Sequence, residues 1–139
     1  MTVTTSVLAN DGGAPARIIS FEAAEAITAG TAMEIDGNGK VKMADTANIL
    51  VAGFALTDAA AGDQVSVITG SGLILYVHLD GTTDIDVGNN LVVAASDSGA
   101  LSKSANVDGD SPVAIALEAA TDTAANNLTA GALFKVLVK

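Results

Sequence analysis

From Arg17 onward the chain is built of short apolar runs, each closed by glycine, aspartate or asparagine. Arg17-Ile-Ile-Ser-Phe21 reads as a first strand. Met33-Glu-Ile35 and Lys40-Val-Lys-Met43 flank Asp36-Gly-Asn-Gly39, a hairpin signal because Gly and Asn accept the positive φ that tight turns require. Ile49-Leu-Val-Ala-Gly-Phe-Ala-Leu56 is the next run. Gln64-Val-Ser-Val-Ile-Thr69 alternates, and Ser71-Gly72 turns the chain into Leu73–Leu79. Leu91-Val-Val-Ala94 and Ala100-Leu101 surround Asp97-Ser-Gly99, a second hairpin candidate. Val113–Leu117 and Leu133–Val138 close the series. Short, β-branched runs separated by turn residues predict an all-β chain. Glu22-Ala-Ala-Glu-Ala26 and Leu117-Glu-Ala-Ala120 have helical propensity but are too short to stand alone, so one or two helical turns at most are expected.

The two halves echo one another. Ile27-Thr-Ala-Gly30, Met33-Glu-Ile35, Gly39-Lys-Val41, Val51–Leu56, Ala61-Gly62 and Val65 are matched by Ile85-Asp-Val-Gly88, Leu91-Val-Val93, Gly99-Ala-Leu101, Val113–Leu117, Ala130-Gly131 and Phe134. The pattern predicts a duplicated β-motif, with halves at about 16–70 and 71–139, wrapped into one domain over 16–139. A small barrel, a two-sheet sandwich and a tulip-like variant all fit. Residues 1–15 are polar, with Val3, Val7 and Leu8 as their apolar anchors, and read as an extended N-terminal arm.

Composition narrows the function. With 139 residues, six Lys plus Arg and sixteen Asp plus Glu, the formal net charge is -10. That disfavours nucleic acid and anionic membrane surfaces, both of which are bound by cations. The longest apolar stretch is far shorter than the roughly 20 residues of a spanning helix, and the N-terminus has no secretory pattern. Cysteine is absent, which removes disulfides, thiolate catalysis and the common zinc and iron–sulfur sites. The apolar content is Ala, Val, Leu and Ile, with one Tyr, three Phe and no Trp. A core of small side chains buries little area per residue and favours oligomerisation.

Chemical motifs are sparse. His78, the single histidine, shares a strand face with Tyr76 and has no positioned partner in the sequence for acid–base work. Asp36-Gly-Asn-Gly39, Asp80–Asp86 and Asp108-Gly-Asp110 cluster carboxylates of the kind Ca²⁺ takes, yet none completes a twelve-residue calcium loop. Turn chemistry explains these residues as well. No phosphate loop is present, and aromatics are too few for a sugar-stacking platform. The inventory points to no enzyme and no cofactor. Its expected role is to offer a surface.

Ile49-Leu-Val-Ala-Gly-Phe-Ala-Leu-Thr-Asp-Ala-Ala-Ala-Gly-Asp-Gln-Val-Ser-Val67 resembles a segment of the tailed-bacteriophage capsid decoration (cement) proteins. Ile27–Gly30 with Met33 and Ile35, and Val113–Leu117 with Ala130-Gly131, resemble that family's flanking segments, so the likeness covers roughly residues 16–139. The resemblance implies a virion protein on the outer surface of an icosahedral head, assembled as a homotrimer and clamping neighbouring major capsid protein subunits of the expanded shell. On that reading the capsid contact falls on Val3, Val7, Leu8 and Arg17. Tyr76, His78 and the Asp80–Asp86 loop have no counterpart role. An acidic, cysteine-free module of a cell-surface or fibre adhesin is the competing expectation.

Overall fold

The computed structural model describes residues 7–10, 17–46, 49, 51–81, 84–94, 98–105, 111–120 and 133–139. The strands are β1 (Leu8–Asn10), β2 (Arg17–Glu22), β3 (Ala32–Ile35), β4 (Val41–Met43), β5 (Gly53–Ala55), β6 (Gln64–Thr69), β7 (Ile74–Val77), β8 (Asn90–Val93), β9 (Leu101–Lys103), β10 (Ala114–Ala116) and β11 (Phe134–Val138). They form two antiparallel sheets rather than a closed barrel, with orders β2-β6-β5-β3-β4 and β1-β7-β11-β10-β8-β9. The helical content among the described residues is one 3-10 turn, Gly37–Gly39, inside the first expected hairpin. Asn38 there has φ 66° and Gly39 φ 75°, the left-handed conformations that the Asp-Gly-Asn-Gly sequence anticipates.

Apart from β1, the two orders are the same list read twice. β2, β6, β5, β3 and β4 correspond to β7, β11, β10, β8 and β9. The correspondence extends to single hydrogen bonds. Gly30 N–H donates to Ala55 O at 2.9 Å, and Gly88 N–H to Ala116 O at 2.8 Å. Ala52 N–H donates to Met33 O and Val113 N–H to Leu91 O, each just before the middle strand of its half. An isolated bridge joins Ile27 to Ala59, and its counterpart joins Ile85 to Ala120. Each sheet also rolls: within two residues of the end of β2 or β7 the chain returns to the far edge, Ala23 beside Val41 and Leu79 beside Leu101. These single bridges begin a closure that no full strand completes.

Alternation along the strands fills both cores. In the first half Met33, Val41, Val65 and Val67 are buried together. Their counterparts Leu91, Leu101, Phe134 and Val136 belong to a larger cluster. That larger cluster also takes Ala32, Phe54 and Ile68 from the opposite face of the first sheet, so it is the layer that joins the halves. Two backbone approaches fix the seam. Gly99 O accepts from Ala32 N at 2.8 Å while Gly99 N–H donates to Ala44 O at 2.7 Å, and His78 N–H donates to Gly30 O at 2.9 Å. The chain crosses from one sheet to the other at Gly70–Gly72. Ser71-Gly72 therefore makes an inter-sheet turn, and β6 does not pair with β7.

One expected strand run is shorter than its apolar stretch, and one segment of helical propensity forms no helix. Ile49–Leu56 pairs only over Gly53–Ala55, while Ile49 and Val51 pack on the core without joining the ladder. Leu117–Ala120 is a bend whose Ala120 makes the Ile85 bridge. Tertiary packing outweighs local propensity at both places.

Candidate interaction surface

The residues expected to meet a partner separate in the fold. Val3 lies outside the described residues. Val7 is 2% exposed and packs in the larger core, and its carbonyl accepts from Tyr76 N–H at 2.8 Å. Leu8 is partly buried against the same core. β1 runs antiparallel to β7, with Leu8 opposite Leu75 and Asn10 opposite Ile74, and the register shifts between the two pairs. The described part of the N-terminal segment is thus an edge strand of the larger sheet. Arg17 opens β2 on the other sheet and is exposed.

Among the described residues the exposed large apolar side chains are Ile35 on β3, Val87 in the turn before β8, and an adjacent pair on β2. Ile18 is 57% and Ile19 43% exposed, although they are adjacent and point to opposite faces. β6 is their strand neighbour, with Ile18 opposite Ile68 and Ile19 opposite Val67. Sequence alternation could not reveal this exposure, because a period of two says which residues share a face and not whether the face is covered.

At the other edge of that sheet, Lys42 reaches Glu34 at 3.4 Å and Asp45 at 3.3 Å. Glu34 is buried while Asp45 is exposed, and Asp45 N–H also approaches Glu34 Oε1 at 3.4 Å. Hydrogen bonding with Glu34, then with the Lys42 ammonium, holds the Asp45 carboxyl below its ordinary value of 3.8. The hydrogen bond to Asp45, then that to Glu34, holds Lys42 above its ordinary 10.5 despite partial desolvation. A lowered acid contributes stability that is complete above 3.8 and lost as pH falls through the folded-state value; a raised base contributes stability complete below 10.5 and lost as pH rises through its own. Lys42→Met is therefore expected to lower Tm modestly at neutral pH, and the difference from wild type should shrink below pH 3.8. Thermal melts by circular dichroism across that range check it.

The remaining candidate chemistry resolves into structure. His78, which the sequence places as a half-buried or surface strand residue, is 4% exposed and lies beside Gly30. Asp86 N–H donates to Asn89 Oδ1 at 2.8 Å and Asn89 N–H to Asp86 O at 3.1 Å, a closed turn. Among the described residues no three His, Cys, Asp or Glu side chains converge as a metal site. Asp108 and Asp110 lie outside the described residues. A cleft of about 250 Å³ opens at the seam between Gly53, Phe54 and Ile68 on one side and Pro112, Val113 and Val138 on the other. Lys139 is the one charged side chain lining it.

These features define an all-β, internally duplicated two-sheet protein whose described surface offers strand edges and turns. Among solved structures, the chain is similar to the N base of the head fiber gp8.5 of bacteriophage phi29, at 18% identity and a TM-score of 0.64. The likeness covers 90% of this chain and 95% of the other, so it extends over both halves. At this identity it is a likeness of fold. No family model matches the chain, and no curated protein sequence matches it either.

Proposed function

We propose that the chain is a non-enzymatic structural protein of a bacteriophage virion, bound to the outer surface of the head. The observation that carries this reading is the near end-to-end likeness to a head fiber base, covering 90% of this chain. The segment Ile49–Val67, with its resemblance to capsid decoration proteins, supports the same location. An acidic surface favours it too, since a chain of net charge -10 gains nothing from contact with packaged DNA and stays dispersed at high copy number.

In mechanism the protein is a clamp. It assembles as a homotrimer, and each copy buries apolar and strand-edge surface against neighbouring subunits of the major capsid protein, raising the work needed to separate them. Val3 and Arg17 are the capsid-facing residues, with Val7 and Leu8 anchoring the segment between them to β7. Cosedimentation with expanded, DNA-free heads of the phage that encodes the chain tests the reading. Wild-type protein is expected to pellet with the heads to saturation. Removing residues 1–6, which leaves Val7 and β1 in place, or Arg17→Glu is expected to weaken binding by about tenfold, the effect of one good interface residue. Failure of wild-type protein to bind expanded heads would overturn the proposal; full binding by both variants would remove Val3 and Arg17 from the contact.

A further inference from the structure

The outer edge of β2 is where the two halves are finished differently. In the second half the corresponding edge, on β7, is covered by β1. Among the described residues no strand pairs with the outer edge of β2. Strand alternation decides which backbone groups lie there. Leu56 N–H donates to Ser66 O, so Gln64, Ser66 and Ile68 turn their backbone groups to β5, while Val65, Val67 and Thr69 turn theirs to β2. Their partners are Phe21, Ile19 and Arg17, and Ala23 N–H continues the alternation by donating to Asp63 O. The N–H and C=O groups of Ile18, Ser20 and Glu22 therefore face outward. Ala24, next in that outward series, donates to Val41 O at 2.8 Å, so the edge is open over Arg17–Glu22 and closed beyond it.

We infer that this edge is an interface between two copies of the chain, made by antiparallel pairing of β2 with its counterpart about a two-fold axis at Ser20. Outward groups must meet outward groups, which limits the register. An axis at Ser20 uses every open group: Ser20 meets the partner's Ser20, and Ile18 meets the partner's Glu22 twice over, each such pair exchanging two hydrogen bonds. On the other face Ile19 lies opposite the partner's Phe21, so the exposed isoleucine gains an apolar neighbour on both sides of the axis. An axis at Ile19 would leave the Glu22 backbone groups without partners inside the strand.

Charge favours the same arrangement. Arg17 has no ion-pair partner among the described residues. Antiparallel pairing brings it to the end of the partner strand that carries Glu22, followed by Glu25 and Asp63, and this meeting of unlike ends occurs twice. Among the described residues the ion-pair partner of Glu22 is Lys40, an exposed contact at 3.8 Å. The edge thus combines open hydrogen-bonding groups, exposed isoleucines and self-complementary ends, which suits an isologous contact.

Sedimentation equilibrium of the full chain over a concentration series tests the pairing. A two-fold contact doubles whatever assembly the remaining surface makes, so the readout is a halving of mass, from dimer to monomer or from hexamer to trimer. Ser20→Pro removes the central outward N–H without touching a backbone bond to β6, giving up only the exposed Ser20 Oγ–H bond to Gln64 Oε1 at 2.9 Å, and proline is tolerated on edge strands. Ile19→Lys keeps the backbone and places a charge in the apolar pair. Both are expected to halve the mass and weaken association by at least about tenfold, whereas Ile35→Lys, on another exposed strand end, leaves it unchanged. Equal masses for wild type and both edge variants, or a wild-type chain that never exceeds its monomer or trimer mass, would overturn the inference. If Ser20→Pro fails to melt cooperatively, Ile19→Lys carries the same two outcomes. This test does not depend on binding to heads and leaves out Arg17→Glu, which touches both contacts; for head binding, the variant lacking residues 1–6 separates the two readings.

Discussion

Gly99→Ala is expected to lower the unfolding free energy by about 3–5 kcal/mol, while Gly39→Ala at the corresponding turn costs about 1–2 kcal/mol. The two glycines have the same role in their hairpins and nearly the same backbone, φ 80° and 75°. Both substitutions pay for a left-handed alanine. They differ in what surrounds them. A Cβ on Gly39 would meet nothing within 4 Å, whereas one on Gly99 would lie 2.5 Å from Thr31 Cβ and 3.2 Å from Met43 Cβ. Those atoms belong to the first half, so relief requires the halves to move apart, breaking the bonds from Ala32 to Gly99 and from Gly99 to Ala44. Gly30 and Gly88 repeat the contrast: a Cβ on Gly30 would lie 2.9 Å from Leu133 Cδ2, and one on Gly88 would meet nothing. The difference between the two members of a pair measures the seam alone. Chemical denaturation of the four variants reads it, and equal losses at Gly39 and Gly99 would contradict the described packing.

Phe134→Ala is expected to destabilise by about 3–5 kcal/mol, and Val65→Ala, at the corresponding site, by about 1–3 kcal/mol. Both side chains are 1% exposed and face the interior of their own half. The larger loss follows from the ring's greater buried area and from its neighbours. Phe134 belongs to the cluster that also receives Phe54 and Ile68 from the other sheet, so its cavity opens between halves. Val65 sits in a smaller cluster closed by Ala23, Ile27 and Ala55. The cluster shared by the two halves is therefore expected to lose more at Phe134 than the first-half cluster loses at Val65. Guanidinium melts of the two variants compare them, and a Phe134→Ala loss no larger than that of Val65→Ala would contradict that assignment.

The duplication was legible because it is written in glycines. Gly30 and Gly88, and Gly39 and Gly99, occupy positive-φ positions that other residues fill poorly, so the spacing survives where the strands between them diverge. The hairpin around Asp36–Gly39 and the alternating strand Gln64–Thr69 were legible for the same local reasons. What the sequence did not carry is which elements meet across long separations. Ser71-Gly72 reads as a turn into Leu73–Leu79, but not as a change of sheet; β6 and β7 part into different sheets there because each strand pairs within its own half. Val7 reads as a sparse anchor of a polar arm and is a core residue, since β7 offers an edge and a vacancy that only the folded sheet defines. His78 reads as a half-buried or surface strand residue and is buried in the fold, its N–H bonded to Gly30 O, which lies far away in sequence.

The candidate surface was the least legible part. Ile18 and Ile19 look like core on hydropathy and are exposed because β2 lies at the margin of its sheet. Arg17, expected with the N-terminal arm to meet the capsid, stands on that margin. Its expected companions Val7 and Leu8 went to the other sheet. One histidine and no cysteine give the sequence little catalytic inventory, which is why a surface role was legible in it while the edge that bears the surface was not.

Calorimetry of expanded, DNA-free heads with and without saturating protein tests the central proposal, that the chain clamps a phage head, most directly. The account predicts that full occupancy raises the temperature at which the shell dissociates by several degrees, since a ligand of the assembled state stabilises it by mass action. An unchanged shell transition at demonstrated full occupancy would contradict it.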